Sequence, residues 1–537
     1  MFRKIFTIVV LLLLVGSAAM AQSGRVTGKI VDQQTGEPLI GANVIIVGTN
    51  LGAATDIQGD YMISQVPPGK YSIKSSYIGY QNVVVENINV VAGLTQSVDF
   101  KLPSTTIATR EVVIVSVRPL IQKSATNAVR IIDASDIENL PVRSINDIVA
   151  LQPGVVRQNG MTFIRGSRPD ETGYMLEGAN VKDVLDRDGG SLVTATPDAL
   201  QEILVQAGGY TAEYGGANAG IVQEDFKTGT EQYKFSLRAE TDNFGNYPGG
   251  SFMGTHSYGY SDYVLTASGP LFTNKLKLFL SGENYFIRDY NPMFFYGNPP
   301  AYSNGALYDT TRIYDTGVYG GSTNDSQILS WDAGNIQGRM QQRYTFNGTA
   351  LLDLKPLLIR AAGAFTWQRQ RSNSADIISM FDLQRLPLTD NSNLLLNLKG
   401  TYFLASNSYV EANFNIYDGR NNSYDPNFGS NLLAYSDSLQ GAKLGWQYPN
   451  YFTSPVSYDF YGFPFDRPGT NLSGYTKDQN SYLGGSVAYT TVIDKHELKA
   501  GASYQRWTVR HWANASPSTM LQTIRQNPDL ASNPDSL

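Results

Sequence analysis

Cysteine is absent from all 537 residues, which rules out disulfide frameworks and thiolate metal sites and leaves the fold to packing and sheet pairing. Histidine is nearly as scarce. His256, His496 and His511 are the only three, and none stands at helical ligand spacing from a Glu, so the two-His-plus-carboxylate set of a hydrolytic zinc site is missing. No G-x-x-x-x-G-K-[ST] occurs, so there is no P-loop to bind a nucleotide. Lys and Arg number 41 against 47 Asp and Glu, with no basic stripe interleaved with aromatics, which argues against nucleic acid as a partner. Long apolar runs are missing too. The longest, Ile5 to Val15, falls short of the roughly 20 residues that span a bilayer as a helix. With Arg3 and Lys4 ahead of it and Ala19-Met20-Ala21 behind, it reads as the core of a secretory signal peptide, residues 1–21, cleaved near Ala21. The aspartate-rich fragments Asp186-Arg187-Asp188-Gly189 and Asp56-Ile57-Gln58-Gly59-Asp60 do not complete a calcium loop and read as turns, so no cofactor or metal is expected.

What is present is turn formers and aromatics, with Tyr at 33 exceeding Phe at 23, a composition suited to an all-β protein and to the aromatic girdles of a membrane barrel. The segment Arg25 to Pro103, within residues 22–103, carries short apolar strands punctuated by turn residues, VTGKIVD, TGEPL, ANVIIVG, TDIQGDYMI, PPGKYSIKSSYIGY and QSVDFKL, which predict a small antiparallel sandwich. Gly28, Thr35-Gly36-Glu37-Pro38, Gly41-Ala42-Asn43-Val44, Thr55-Asp56, Gly59-Asp60-Tyr61 and Pro67-Pro68-Gly69-Lys70-Tyr71 resemble the carboxypeptidase-regulatory-like (transthyretin-like) domain. The resemblance is to the regulatory module, not to the peptidase; no enzyme is expected.

Residues 120–230 change to a mixed α+β pattern. Ser135-x-x-Glu138 reads as a capping box, and Ser144 opens a second short helix that Pro153-Gly154 stops. Leu140-Pro141, Leu151-Gln152-Pro153-Gly154-Val155, Ile164-Arg165-Gly166, Leu176-Glu177-Gly178-Ala179-Asn180-Val181 and Tyr214-Gly215-Gly216-Ala217-Asn218-Ala219-Gly220 resemble, in order and spacing, the plug domain of TonB-dependent outer-membrane transporters. The motif residues this marks are Ile164, Arg165, Gly166, Glu177, Gly178, Tyr214 and Gly215. Glu177 departs from the family's usual Asp; a carboxylate before a turn glycine is kept.

Between the two segments, in a linker at 104–119, lies REVVIVSVRP. It reads as an ordinary linker, as the sandwich's last strand, or, by its place ahead of a plug, as a segment similar to the TonB box: Glu111, Val112, Val113, Ile114, Val115 and Ser116. The third reading is favoured, and it implies that TonB adds a strand to this one through main-chain hydrogen bonds.

From 231 to 537 about nine segments alternate apolar and polar residues. The tight links at 269–274, 353–356, 405–408 and 492–495 take turns with the long ones at 241–261, 289–337, 372–393 and 419–479. Soluble domains rarely need such long links, whereas outer-membrane barrels have short periplasmic turns and long outer loops. The expected fold is therefore mainly β: an N-terminal β-sandwich, an α+β plug domain and the first part of a transmembrane antiparallel β-barrel. The resemblance implies a barrel of about 22 strands, so the chain is expected to stop inside an extracellular loop with the reading frame continuing.

The implied function is transport in the outer membrane, with the N-terminal domains periplasmic. A scarce small solute would bind at the outer loops and plug, and pass when TonB, energised by its inner-membrane complex, pulls on the box. Tyr and Trp of the long loops, Trp331, Tyr448, Tyr451 and Tyr458, are suited equally to stacking on a glycan or peptide and to folding a loop on itself, so the substrate is not legible in the sequence. A surface lid lipoprotein and outer-membrane lipid complete the implied partners. The alternative is a surface adhesin or structural protein that transports nothing.

Overall fold

The computed structural model describes residues 23–527 apart from 50, 105–111, 116–128, 141–143, 184–189, 211–213, 243–245, 248–249, 252–256, 258, 289–312, 315–325, 328–338, 372–384, 406, 445–456, 461–462, 467–473, 494–495, 515–516 and 518–525. The signal peptide, Glu111, Ser116, Asp186 to Gly189, Trp331, Tyr448 and Tyr451 lie outside the described residues.

The first unit is a two-sheet sandwich. Strands β1 (Gly24–Asp32), β2 (Asn43–Ile46), β3 (Gly52–Ala54), β4 (Asp60–Val66), β5 (Gly69–Ser76), β6 (Val83–Val90), β7 (Thr95–Ser97) and β8 (Phe100–Leu102) divide between them. β1 pairs with β4, β7 and β8, while the second sheet runs β3-β2-β5-β6. Alternate apolar residues of both sheets, among them Val26, Ile30, Ile46, Ile73, Val85 and Phe100, meet in one core. The Asp56-to-Asp60 fragment is the turn into β4: Asp56 Oδ1 accepts the amides of Gln58 and Asp60 at 2.8 and 2.9 Å. Gly59 holds a φ of +77° there, and a Cβ would meet the Ile30 carbonyl at 2.7 Å, so only glycine fits.

The second sheet does not end at β6. Strand β9 (Val112–Val115) pairs with β6 in parallel, Val83 to Val112 through Glu86 to Val115. The boundary drawn at 103 separates this strand from the sandwich in sequence; in space it is the fifth strand of the sandwich's own sheet.

The second unit is a mixed sheet with two short helices. Its strands β10 (Val129–Asp133), β13 (Thr172–Leu176), β14 (Ala179–Asn180), β15 (Leu200–Gln206) and β16 (Gly220–Phe226) run in the order β10-β15-β16-β13-β14, and β11 (Val155–Gln158) pairs with β12 (Met161–Ile164). Helix α1 (Ala134–Asn139) is capped by Asp133, whose side chain accepts from the Ser135 and Asp136 amides while Asp136 answers the Asp133 amide. The capping box is therefore Asp133/Asp136, not Ser135/Glu138. Asp133, the last residue of β10, caps the helix two residues before Ser135 would, and Ser135 becomes the second helical residue. Helix α2 (Ile145–Ala150) begins after Ser144 as expected.

The third unit is one antiparallel sheet of nine strands in chain order. They are β17 (Lys234–Thr241), β18 (Ser261–Leu271), β19 (Thr273–Ile287), β20 (Met340–Leu354), β21 (Leu357–Arg371), β22 (Leu388–Ala405), β23 (Ser408–Tyr424), β24 (Tyr475–Ile493) and β25 (His496–Asn514). The nine strands read from the sequence are these, and the alternation of tight and long links holds. The strands run further into the long links than the alternation showed: β22 starts at Leu388, β23 ends at Tyr424 and β24 starts at Tyr475.

The faces of this sheet are inverted relative to a soluble protein. On β22, Leu396 and Leu398 are 46% and 51% exposed, while Asn397 and Lys399 between and beside them are 5% and 7%. On β23, Glu411, Asn413 and Asn415 are buried. Apolar residues face out and polar ones face in, the pattern of a barrel wall in lipid. The inward face is covered by the second unit: Phe279, Ala364, Leu395 and Tyr417 of the wall share one core with Leu200, Val222 and Phe226. No described helix is long and apolar enough to cross a membrane, which says nothing about crossing by strands.

Candidate functional site

Between β13 and β14 the chain reverses at Glu177 and Gly178, both with positive φ, +53° and +80°. Such a pair makes the tight hairpin turn that matches strand twist, and glycine is the natural second residue. The turn sets the Glu177 carboxylate at the wall of the sheet. Arg360, on the inward face of β21, donates to it through Nε at 2.8 Å and Nη2 at 2.7 Å. The same guanidinium reaches the Phe226 carbonyl at 3.0 Å and the Thr228 hydroxyl at 2.6 Å. Glu177 Oε1 also accepts the Phe226 amide at 2.7 Å, and Asn397 of β22 donates to the Glu177 carbonyl at 3.0 Å. One turn residue thus joins β16, β21 and β22.

The charge around this contact is dense. Glu224 and Asp225 of β16 are both buried, and burial, then the Asp225 charge, pushes the Glu224 carboxyl up to about 8. Burial followed by the Glu177 charge also raises Asp225, which Gln223 holds at 2.7 Å. Lys399 sits opposite with Glu411 at 3.4 Å. A second polar contact lies at the first wall strand. Arg238 of β17 pairs with Asp198 at 2.8 Å, Asp262 at 3.1 Å and Glu240 at 2.6 Å. Neutral bonds fill the seam between them: Asn347 to Thr196 at 3.1 Å, Thr366 to the Thr194 carbonyl at 3.1 Å and Thr349 to the Lys227 carbonyl at 2.8 Å.

Of the motif residues, Glu177 reaches the wall through side-chain hydrogen bonds. Ile164 is fully buried in the core. Arg165 and Gly166 form a second turn with positive φ, +53° and +74°, tied by the Arg165 amide to the Gly154 carbonyl at 2.8 Å. Tyr214 donates to Gln223 at 3.2 Å, beside the exposed Gly215. Arg360, Asn397 and Asp225 were not singled out from the sequence. The signal for Arg360 was there: a charged residue in LLIRAAGAF at an inward position of an apolar strand.

Residues 26–114 match the model of the CarboxypepD_reg-like domain and residues 121–222 that of the TonB-dependent Receptor Plug Domain. Residues 121–222 carry the plug domain of the TonB-dependent receptor family. The second unit of the chain is the plug, its nine-stranded sheet is barrel-like, and the family consists of receptors and transporters, not enzymes. The chain is 26% identical over 309 residues, 51% of its length, to the TonB-dependent transporter Oar of Myxococcus xanthus, covering 28% of that protein. It is 48% identical over 63 residues, 12% of its length, to the TonB-dependent receptor SusC of Bacteroides thetaiotaomicron, covering 6% of it. The outer membrane transporter YddB of Escherichia coli superposes with a TM-score of 0.46 at 10% identity, over 72% of this chain and 49% of that one. The matched part is about half of YddB or less and about a quarter of Oar.

Proposed function

We propose that this receptor is an outer-membrane transporter that takes a scarce solute at its long loops and at the face of the plug toward them, and passes it to the periplasm when TonB draws on Val112 to Val115 and the residues flanking them. The observation that carries the reading is the plug seated against the polar inner face of a sheet whose outer face is apolar: a lipid-facing wall with a separately folded body closing its bore. The seam between them is held mainly by hydrogen bonds and ion pairs, bonds that water can take over when the plug moves.

In this reading the short turns face the periplasm and the long links face outward. A glycan or a peptide is the proposed solute class, supported by the aromatic long links and by the N-terminal sandwich, which glycan-importing receptors with a lid lipoprotein also carry. TonB and its inner-membrane complex supply the energy, the coupling that the plug domain implies.

The test uses the native host. Cells carrying the full-length gene with residues 111–116 deleted are compared with wild type for the solutes they remove from a defined glycan and peptide mixture. Loss of one class, with the protein still in the outer membrane, supports the reading; unchanged consumption of all of them refutes it. Mass spectrometry of the protein purified from native membranes identifies bound solute and any lid lipoprotein.

A further inference from the structure

The Pro67-Pro68-Gly69-Lys70-Tyr71 stretch belongs to the sandwich, yet it lies against the seam between plug and wall. Pro67 and Pro68, with Gln65, line one side of a narrow cavity whose other side is Leu358, Arg360 and Thr401 of the wall. The sandwich meets the rest of the protein at several further points. Lys277 of β19 donates to the Gly48 carbonyl at 2.9 Å and pairs with Glu231 at 2.8 Å. The buried Ala92 amide donates to Glu202 of the plug at 2.8 Å, Lys70 reaches Ser135 at 3.1 Å, and Phe403 packs on the sandwich core. Lys277, Leu358, Thr401 and Phe403 all lie toward the short-turn ends of their strands. The sandwich is therefore seated across the short-turn mouth of the sheet, directly beneath the ion pair of Glu177 and Arg360.

We propose that the sandwich is a second closure, a cap on the periplasmic mouth, and that a pull on β9 loads this cap before it reaches the plug. The pairing of β9 with β6 carries the second half. In sequence the strand lies between sandwich and plug, but its hydrogen bonds go to the sandwich. Tension applied at Val112 to Val115 acts on the β6 edge at once, whereas it reaches the plug later, along residues 116–128 and through the sandwich's own contacts with Ser135 and Glu202. The order of events is cap first, plug second. This half rests on the TonB reading above; the cap itself does not.

Thr401 is fully buried at the cavity, and the chain has no cysteine, so Thr401→Cys in the full-length protein reports the cap in host cells by reaction with a small membrane-impermeant maleimide. A built Cβ on Gly48 falls 2.2 Å from the Glu231 carboxyl carbon, which makes Gly48→Cys with Glu231→Cys a disulfide lock between cap and wall. Gly48 has a φ of +80° and a cysteine is strained there, so the lock is compared only with its own reduced form; Lys277→Met is the milder companion and should raise labelling. The expected result, read at position 401 by peptide mass spectrometry so that the thiols of the reduced lock do not count, is severalfold labelling of Thr401→Cys in energised cells, its loss in the oxidised lock and its return on reduction. Equal labelling of locked and reduced forms overturns the cap. Labelling that responds to the lock but not to removal of TonB keeps the cap and overturns the pull through β9.

Discussion

Arg360→Met tests the contact that holds the plug to the wall. The side chain gives up four hydrogen bonds, two to Glu177 and one each to the Phe226 carbonyl and the Thr228 hydroxyl. The Glu177 side chain is only 3% exposed, and Glu224 and Asp225 are buried beside it. Removing one partner of a buried pair and stranding the other costs about 3–5 kcal/mol, equivalent to about 10²- to 10³-fold or more in the opening equilibrium. Hydrogen exchange at the Phe226 amide is the assay, because that amide donates to Glu177 and is freed only when the turn leaves β16. The expected outcome is faster exchange at Phe226 and its β16 neighbours, with the sandwich core at Ile73 unchanged. Glu177→Gln alone should cost less, since it keeps the shape and removes the buried negative charge. The double variant should cost less than the sum of the two, because the charge that Arg360→Met strands is then gone. Exchange within about tenfold of wild type (~1.4 kcal/mol) in Arg360→Met, or costs that add within about 0.5 kcal/mol, would refute a desolvated latch.

Glu224 gives the plug a pH dependence. Its carboxyl is raised to about 8 in the folded plug against about 4.3 in an unfolded chain, so the folded state keeps a proton that the unfolded state has lost. Stability contributed this way is complete at the low end of that window and is lost as pH rises through it, by about 1.4 kcal/mol per unit; Glu224→Gln should flatten the profile in pH-dependent exchange of β16. For orientation, Leu439→Cys, 73% exposed in a long link, should react with an impermeant maleimide too large for porins on intact cells, and Asn407→Cys in a tight turn should react only after the outer membrane is opened. The opposite pattern would invert the sheet. Val113→Pro removes one main-chain donor and fixes φ, so cross-linking of the full-length protein to TonB should fall while its level in the membrane stays the same, and undiminished cross-linking would count against Val112 to Val115 as the strand TonB takes.

The nine wall strands were legible because their side chains alternate with period two and because tight links of a few residues can only be hairpins. Their outer ends were not. Residues such as Thr389 to Asn393 are polar on both faces, and a strand held there by its ladder alone carries no alternation to read. The Glu177-Gly178 turn was visible as a carboxylate before a glycine, but its partner Arg360 is 183 residues away, and no local spacing announces a pair closed by tertiary packing. The same limit applied to Val112 to Val115. The segment was readable as a strand, with the sandwich's last strand among its readings, but its parallel partner β6 lies beyond β7, β8 and the start of the linker, and parallel pairing has no hairpin to give it away.

The inversion of the wall explains why the plug can be both a seal and a moving part. An apolar bore would bind an apolar plug by removing area from water, at about 25 cal/mol per Å² that must all be returned on opening. Here the contacts that cross the seam are largely Thr, Asn and Ser groups and the pairs of Arg238 and Arg360. A hydrogen bond of this kind is worth only about 0.5–1.5 kcal/mol net, because water replaces it when it breaks. The apolar contribution among the described residues comes from Phe279, Ala362, Ala364, Leu395, Tyr417 and Tyr482 of the wall, which share the plug's core, and from Trp507 packed against it. Resistance to opening is therefore concentrated in the buried ion pairs, where removing one partner is costly but water entering the seam can solvate both. A pull that admits water at the short-turn mouth weakens the Glu177 and Arg360 pair before any apolar surface has to part, and that is the side on which the sandwich sits.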